Sequence, residues 1–119
     1  LDPAFSKIRI LKLCQGADSS PIRCELQVVS LDDNPYYGAL SYVWGDCNIT
    51  KSIHVNEVRF EATANLFDFL HSLRLATTDR YLWADAICID QSNEEEKSHQ
   101  IGLMTRIYRQ ANEAHVWFG

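Results

Sequence analysis

An acid inside an apolar run is the first residue that chemistry could use. Leu82 to Ile89 is almost continuously apolar, as a strand covered on both faces reads, and Asp85 interrupts it. A carboxylate there must be paired, hydrogen-bonded or protonated, because desolvating it costs several kcal/mol. Two readings stand: a structural acid held by backbone amides, by Ser41 or Tyr42 of a neighbouring strand or by an arginine, or a catalytic acid; the structural one is the default. Asp90 and Gln91 follow at the carboxyl end of the same predicted strand, where open α/β sheets place their ligands. Asp46 ends another apolar run and could share that rim, although both Asp46 and Asp90 are equally at home in plain turns. Glu96, in the first turn of a predicted helix, reads as a solvated residue favoured by the helix dipole, with a reach back toward the rim as the alternative. Glu94 and Glu95 read as solvated only.

The other reactive residue types form no constellation. Trp44 and Trp83 could wall a planar ligand, but core packing is the simpler role for each. His54, His71, His99 and His115 are scattered without spacing for a metal or a nucleophilic triad. Cys14, Cys24, Cys47 and Cys88 lack a C-x-x-C pair, so reduced intracellular thiols are expected, with Cys88 a small core residue. Gly-rich phosphate loops and the G-x-S-x-G elbow are missing, and no metal or tightly held cofactor is expected.

These residues must be positioned by a small α/β domain. Ile8 to Leu13 and Ile22 to Leu31 suit two strands of a hairpin, with Gly16 to Pro21 supplying turn residues. Tyr37 to Trp44 predicts a second buried strand, ended by Gly45 and Asp46. Ile53 to Ala62 alternates around Asn56 and Glu57 as a further hairpin, although Glu57 is a poor second turn residue beside glycine. Asn65 predicts a helix cap, with Leu66, Phe69, Leu70 and Leu73 on one helical face. Ser92 and Glu95 predict a capping box for a second helix, whose apolar stripe is Ile101, Met104, Ile107, Tyr108 and Ala111. Ala114 to Phe118 predicts a last buried strand. The order of strands and helices after the hairpins argues for a mainly parallel sheet with helices on its faces.

Composition narrows the classes further. The 119 residues, 46% hydrophobic, suffice for one small domain with a core. Sixteen acidic against eleven basic residues give a net charge of −5 with no basic stripe, so nucleic-acid binding is not expected. No apolar run approaches a membrane span and no signal peptide opens the chain, so a soluble protein is expected. The start at Leu1 and the apolar finish Val116 to Gly119 suggest a fragment with a strand still in progress.

Several motifs occur together in order: Y-G-A-L-S-Y-V-W-G-D (Tyr37 to Asp46), N-L (Asn65, Leu66), L-W-A-D-A-I-C-I-D-Q (Leu82 to Gln91), E-K-x-x-Q (Glu96 to Gln100), M-x-x-I-Y (Met104 to Tyr108) and V-W-F-G (Val116 to Gly119). This set resembles the fungal heterokaryon-incompatibility (HET) domain over roughly Ile8 to Gly119, with residues 1–36 as a hairpin leader and 37–119 as the N-terminal part of the domain. The resemblance implies a cytoplasmic effector of nonself recognition that triggers programmed cell death after incompatible cells fuse, working through protein partners or self-association. It also implies a distant likeness to TIR domains and hence a flavodoxin-like sheet, with Ala39 to Trp44, Leu82 to Ile89 and His115 to Phe118 as its first three strands and the Ile53 to Ala62 hairpin as an insertion. Some TIR domains cleave NAD with a glutamate after the third strand. An enzyme of that kind, with NAD as substrate and completed by residues beyond Gly119, is therefore the alternative implied, and an inactive gene fragment is a third. Residue by residue, Trp44, Gly45, Asp46, Asp85, Asp90, Gln91, Glu96 and Gln100 match the family's polar and aromatic motif positions. Asp85, Asp90 and Glu96 are the candidate acids, and the others are a candidate ligand or contact rim. Asn56 and Glu57 stand where the family usually has Asn and Gly.

Overall fold

The computed structural model describes residues 6–118; Gly119 of the V-W-F-G motif and Leu1 lie outside them. Seven strands and three helices follow one another as β1 (Lys7–Leu13), β2 (Arg23–Ser30), β3 (Gly38–Tyr42), β4 (Thr50–Val55), β5 (Val58–Thr63), α1 (Ala64–Leu73), β6 (Arg80–Trp83), α2 (Asp85–Cys88), α3 (Glu94–Gln110) and β7 (Glu113–Trp117). The strands form one sheet in the order β5-β4-β2-β1-β6-β3-β7.

The fold class is α/β, but the sheet is mixed rather than mainly parallel. Strand β1 runs antiparallel to both neighbours, with Leu11 opposite Leu26 on β2 and Leu82 on β6. Strands β4 and β5 are likewise antiparallel, whereas β3 runs parallel to β6 and β7, and β2 parallel to β4. The discrepancy has a topological cause. The expected N-terminal and inserted hairpins both form, but each adds its antiparallel pairs to the same sheet instead of lying beside it. Asn56 ties the inserted hairpin down: its backbone N–H donates to Cys24 O and its Oδ1 accepts from Leu26 N at 2.8 Å. Asn56 and Glu57 both adopt positive φ, 51° and 65°, as a two-residue turn of the primed type requires.

Strand β1 shows why a central strand is apolar on both faces. Ile8 and Ile10 alternate with Leu11 and Leu13, and all four are buried. The two main helices cover opposite faces. Phe69 of α1 meets Tyr42 edge-on at 6.0 Å and stacks on Trp117 at 5.5 Å. Tyr108 of α3 packs edge-on against Trp83 at 5.6 Å, and Trp83 is in register with Ala39, which points away from Tyr42 in the pleat. Tyr108 and Tyr37 fix α3 further, donating to the carbonyls of Leu40 and Ile107.

Three local expectations need correction. The run Leu82 to Ile89 is not one strand: β6 stops at Trp83, and Ile87 N and Cys88 N turn back onto Ala84 O to form α2. A buried apolar run does not distinguish a strand from a buried helical turn by periodicity. Thr63, not Asn65, caps α1, accepting from Leu66 N, while Asn65 donates to Val43 O. Asn93, not Ser92, caps α3, accepting from Glu96 N at 3.1 Å, because Ser92 is taken by Asp90. The apolar stripe of α3 holds through Ile107, Tyr108 and Ala111, whereas Ile101 is exposed. Strand β7 begins at Glu113, one residue before the expected start, and ends at Trp117.

Candidate functional site

The carboxyl ends of β3 and β6 form a rim, and α2 sits on it. Because the chain turns after Trp83, Asp85 emerges half-buried at the start of α2 instead of inside the sheet. Its Oδ1 accepts from Trp44 Nε1 at 3.2 Å and from Ala86 N at 2.9 Å. Its backbone carbonyl accepts from Gln91 Nε2 at 2.9 Å. The Tyr42 hydroxyl is pushed well above the ordinary tyrosine range, first by burial and then by the nearby Asp85 carboxylate. Trp44 therefore works as a rim residue, 39% exposed, while Trp83 is wholly core.

A second cluster lies beside it. Glu96 is only 8% exposed, against the expectation of a solvated helix face. Arg9 Nη1 and Nη2 grip its two oxygens at 2.8 Å each, and Oε2 also accepts from Asp90 N at 3.1 Å. The Arg9 hydrogen bonds, foremost, bring the Glu96 carboxyl down to about 2 despite its burial. Asp90 Oδ1 accepts from Ser92 N at 3.0 Å and from Ser92 Oγ at 2.6 Å, and the Ser92 hydroxyl is the main reason its carboxyl lies below the usual range. Cys88 is fully buried, and burial raises its thiol to about 12, which suits a core residue and not a nucleophile.

The remaining rim candidates divide. Gly45 has φ +78°, and a Cβ there would come within 2.8 Å of the Asn65 amide, so it serves the chain path. Asp46 is an exposed turn residue that accepts from Asn48 N at 2.9 Å. Gln100 is fully buried and donates to Lys7 O at 2.9 Å. The structure thus brings Trp44, Asp85 and Gln91 together, and Asp90 with Glu96, but leaves Asp46 and Gln100 apart. Sequence reasoning missed Arg9. A basic residue within I-R-I-L, on a strand with both faces buried, was the available sign that it needed an acid.

A cleft of about 690 Å³ opens between this rim and the β4–β5 hairpin. Its floor is apolar, built by Leu26, Val55, Phe60, Leu66, Ile87 and Ile89. Trp44, Glu61, Asp90 and Gln91 stand among the other lining residues. Among the described residues, no group of three His, Cys, Asp or Glu side chains is placed to hold a metal ion, and no helix is long and apolar enough to cross a membrane.

The chain belongs to the heterokaryon incompatibility family, whose model, described as "Heterokaryon incompatibility protein (HET)", matches residues 37–119. Among curated proteins, the chain is 37% identical over 132 aligned positions to "Heterokaryon incompatibility protein 6, OR allele" of Neurospora crassa. That alignment takes in 99% of this chain and 19% of the relative, so the chain spans about a fifth of the relative's length. No solved structure matches the chain.

Proposed function

We propose that this domain acts in the cytoplasm as an interaction and signalling module of fungal nonself recognition, its engagement by a protein partner or a second copy leading to programmed cell death when incompatible cells fuse. The observation that carries the module reading is the state of the three candidate acids. Asp85 is bound by Trp44 and Ala86 N, Asp90 by Ser92, and Glu96 by Arg9. Each carboxylate fastens a rim loop or helix start. For Asp90 and Glu96 the hydrogen bonds favour the ionised form, the opposite of what a general acid near neutral pH needs. A rigid, pre-shaped rim suits recognition.

One observation favours a second reading, a TIR-like enzyme that cleaves NAD with help from residues outside this chain. The cleft lies within the 300–1,000 Å³ common for small-molecule sites, and Trp44 offers an indole ring at its mouth. The parallel trio β6-β3-β7, with β3 central, supports the flavodoxin-like part of that comparison.

The two are separated by expressing the full-length protein in fungal cells and following NAD content as death proceeds. Death with NAD held constant is expected. A fall in NAD that precedes death and is blocked by Asp85→Asn would overturn the module reading in favour of the enzyme.

A further inference from the structure

We infer that the cleft between the rim and the β4–β5 hairpin is a docking groove for a short apolar segment of a partner protein flanked by lysine or arginine. The inference rests on the module reading and adds to it the chemistry of the partner. Six large apolar side chains make the floor, and a volume of about 690 Å³ has room for several large side chains from outside. Burying them supplies affinity without direction; the charges at the edge supply the selection.

Of those charges, the Asp90 carboxylate is the one left open. Arg9 is the one cation among the described lining residues, and both its terminal nitrogens are already taken by Glu96, so it has little left to offer an anion. The two lining acids are both held ionised. Hydrogen bonding from Ser52, then from Arg59, keeps the Glu61 carboxyl below the usual range, and the Ser92 hydroxyl does the same for Asp90. Glu61 is spent within its own cluster, since Oε1 accepts from Ser52 Oγ and Arg59 Nε at 2.7 Å each and Oε2 accepts from Thr50 Oγ1 at 3.0 Å. Asp90 uses only Oδ1 for Ser92 and is exposed, which leaves Oδ2 to face an incoming ammonium or guanidinium group. An apolar stretch with a basic flank matches the open Asp90 carboxylate, whereas an acidic flank would meet like charge there. The net charge of −5 adds a long-range field of the same sign.

The test uses the full-length protein and two synthetic peptides with a Leu-Phe-Leu core, one flanked by lysines and one by glutamates, titrated calorimetrically at low and moderate salt. The lysine-flanked peptide is expected to bind at least about tenfold more tightly, with the preference shrinking as salt rises. Asp90→Asn, which keeps Oδ1 as the acceptor for Ser92, should remove the preference. Cys47→Trp, which fills the groove from an exposed turn, should weaken both peptides, and thermal unfolding of each variant checks that the fold is intact. Equal binding of the two peptides, binding of neither, or a preference that survives Asp90→Asn would overturn the groove assignment. So would self-association of the protein abolished by Cys47→Trp, because the occupant would then be a second copy. Any of these leaves the module reading standing, since that reading fails only on the NAD measurement in cells.

Discussion

Arg9 and Glu96, 87 residues apart in the chain, meet through two parallel N–H···O bonds of 2.8 Å each. The fork joins the central strand to the first turn of α3, and Glu96 also receives the Asp90 N–H that shapes the rim. Removing one partner of a pair this enclosed leaves a charge stranded. Arg9→Met should therefore destabilise the domain by about 3 kcal/mol. Glu96→Gln, which keeps an acceptor, should cost less, about 1–2 kcal/mol. Equilibrium denaturation of the two variants and of the double variant measures both the losses and their coupling.

The same pair predicts the acid response. Glu96 ionises with a pKa of about 2 in the folded protein against 4.5 ordinarily, so its stabilising contribution is complete above about pH 4.5 and is lost as the pH falls toward 2. The difference amounts to at most about 3 kcal/mol. Stability measured between pH 5 and 2 should decline over that window, and Glu96→Gln should flatten the decline. An unchanged slope in the variant would assign the acid lability to other carboxylates.

Gly38 lies against the His115 ring, and a Cβ there would come within 2.9 Å of two ring atoms. Gly38→Ala should cost about 1–3 kcal/mol through overpacking. His115→Ala makes room, so adding it to Gly38→Ala should recover part of that loss. A denaturation cycle with additive effects would show that the ring yields freely.

Glu57 occupies the left-handed region at φ 65°, where a side chain costs about 1–2 kcal/mol. Glycine there loses some of that gain to chain entropy. Glu57→Gly should thus stabilise the domain by about 0.5–1 kcal/mol, read as a higher unfolding midpoint with an unchanged denaturant slope.

The local patterns were legible because they are written in neighbouring residues. The alternation of Ile22, Cys24 and Leu26, the turn at Asn56 and the apolar stripe of Leu66, Phe69 and Leu70 each needed only a short window. What escaped needed partners from far along the chain. Glu96 looks like any first-turn acid until Arg9 arrives from the other end of the sequence, and Gln100 reads as a rim residue until Lys7 O takes its amide. The break after Trp83 was hidden for a different reason, since Ala84 to Ile89 is buried whether it is extended or coiled. Asp85 was the sign of the break: a polar residue that opens a helical turn on the rim explains itself where one inside a strand did not. The sheet order was beyond reach because it depends on which hairpin edge meets which strand, and edge pairing leaves little trace in composition.

The central position of β1 has a consequence for how the domain is made. Its pairing with β2 closes a short hairpin, but its pairing with β6 brings Leu11 to Leu82, and β3 must wait for β7 to place Leu40 beside His115. Four of the six strand pairings thus join distant parts of the chain, and such topologies fold more slowly than those built from local contacts. Early in folding the β1–β2 hairpin carries Ile8, Ile10, Leu11 and Leu13 with neither face covered. A newly made chain is at its most adhesive then, before α3 has been synthesised and can swing over to shield it.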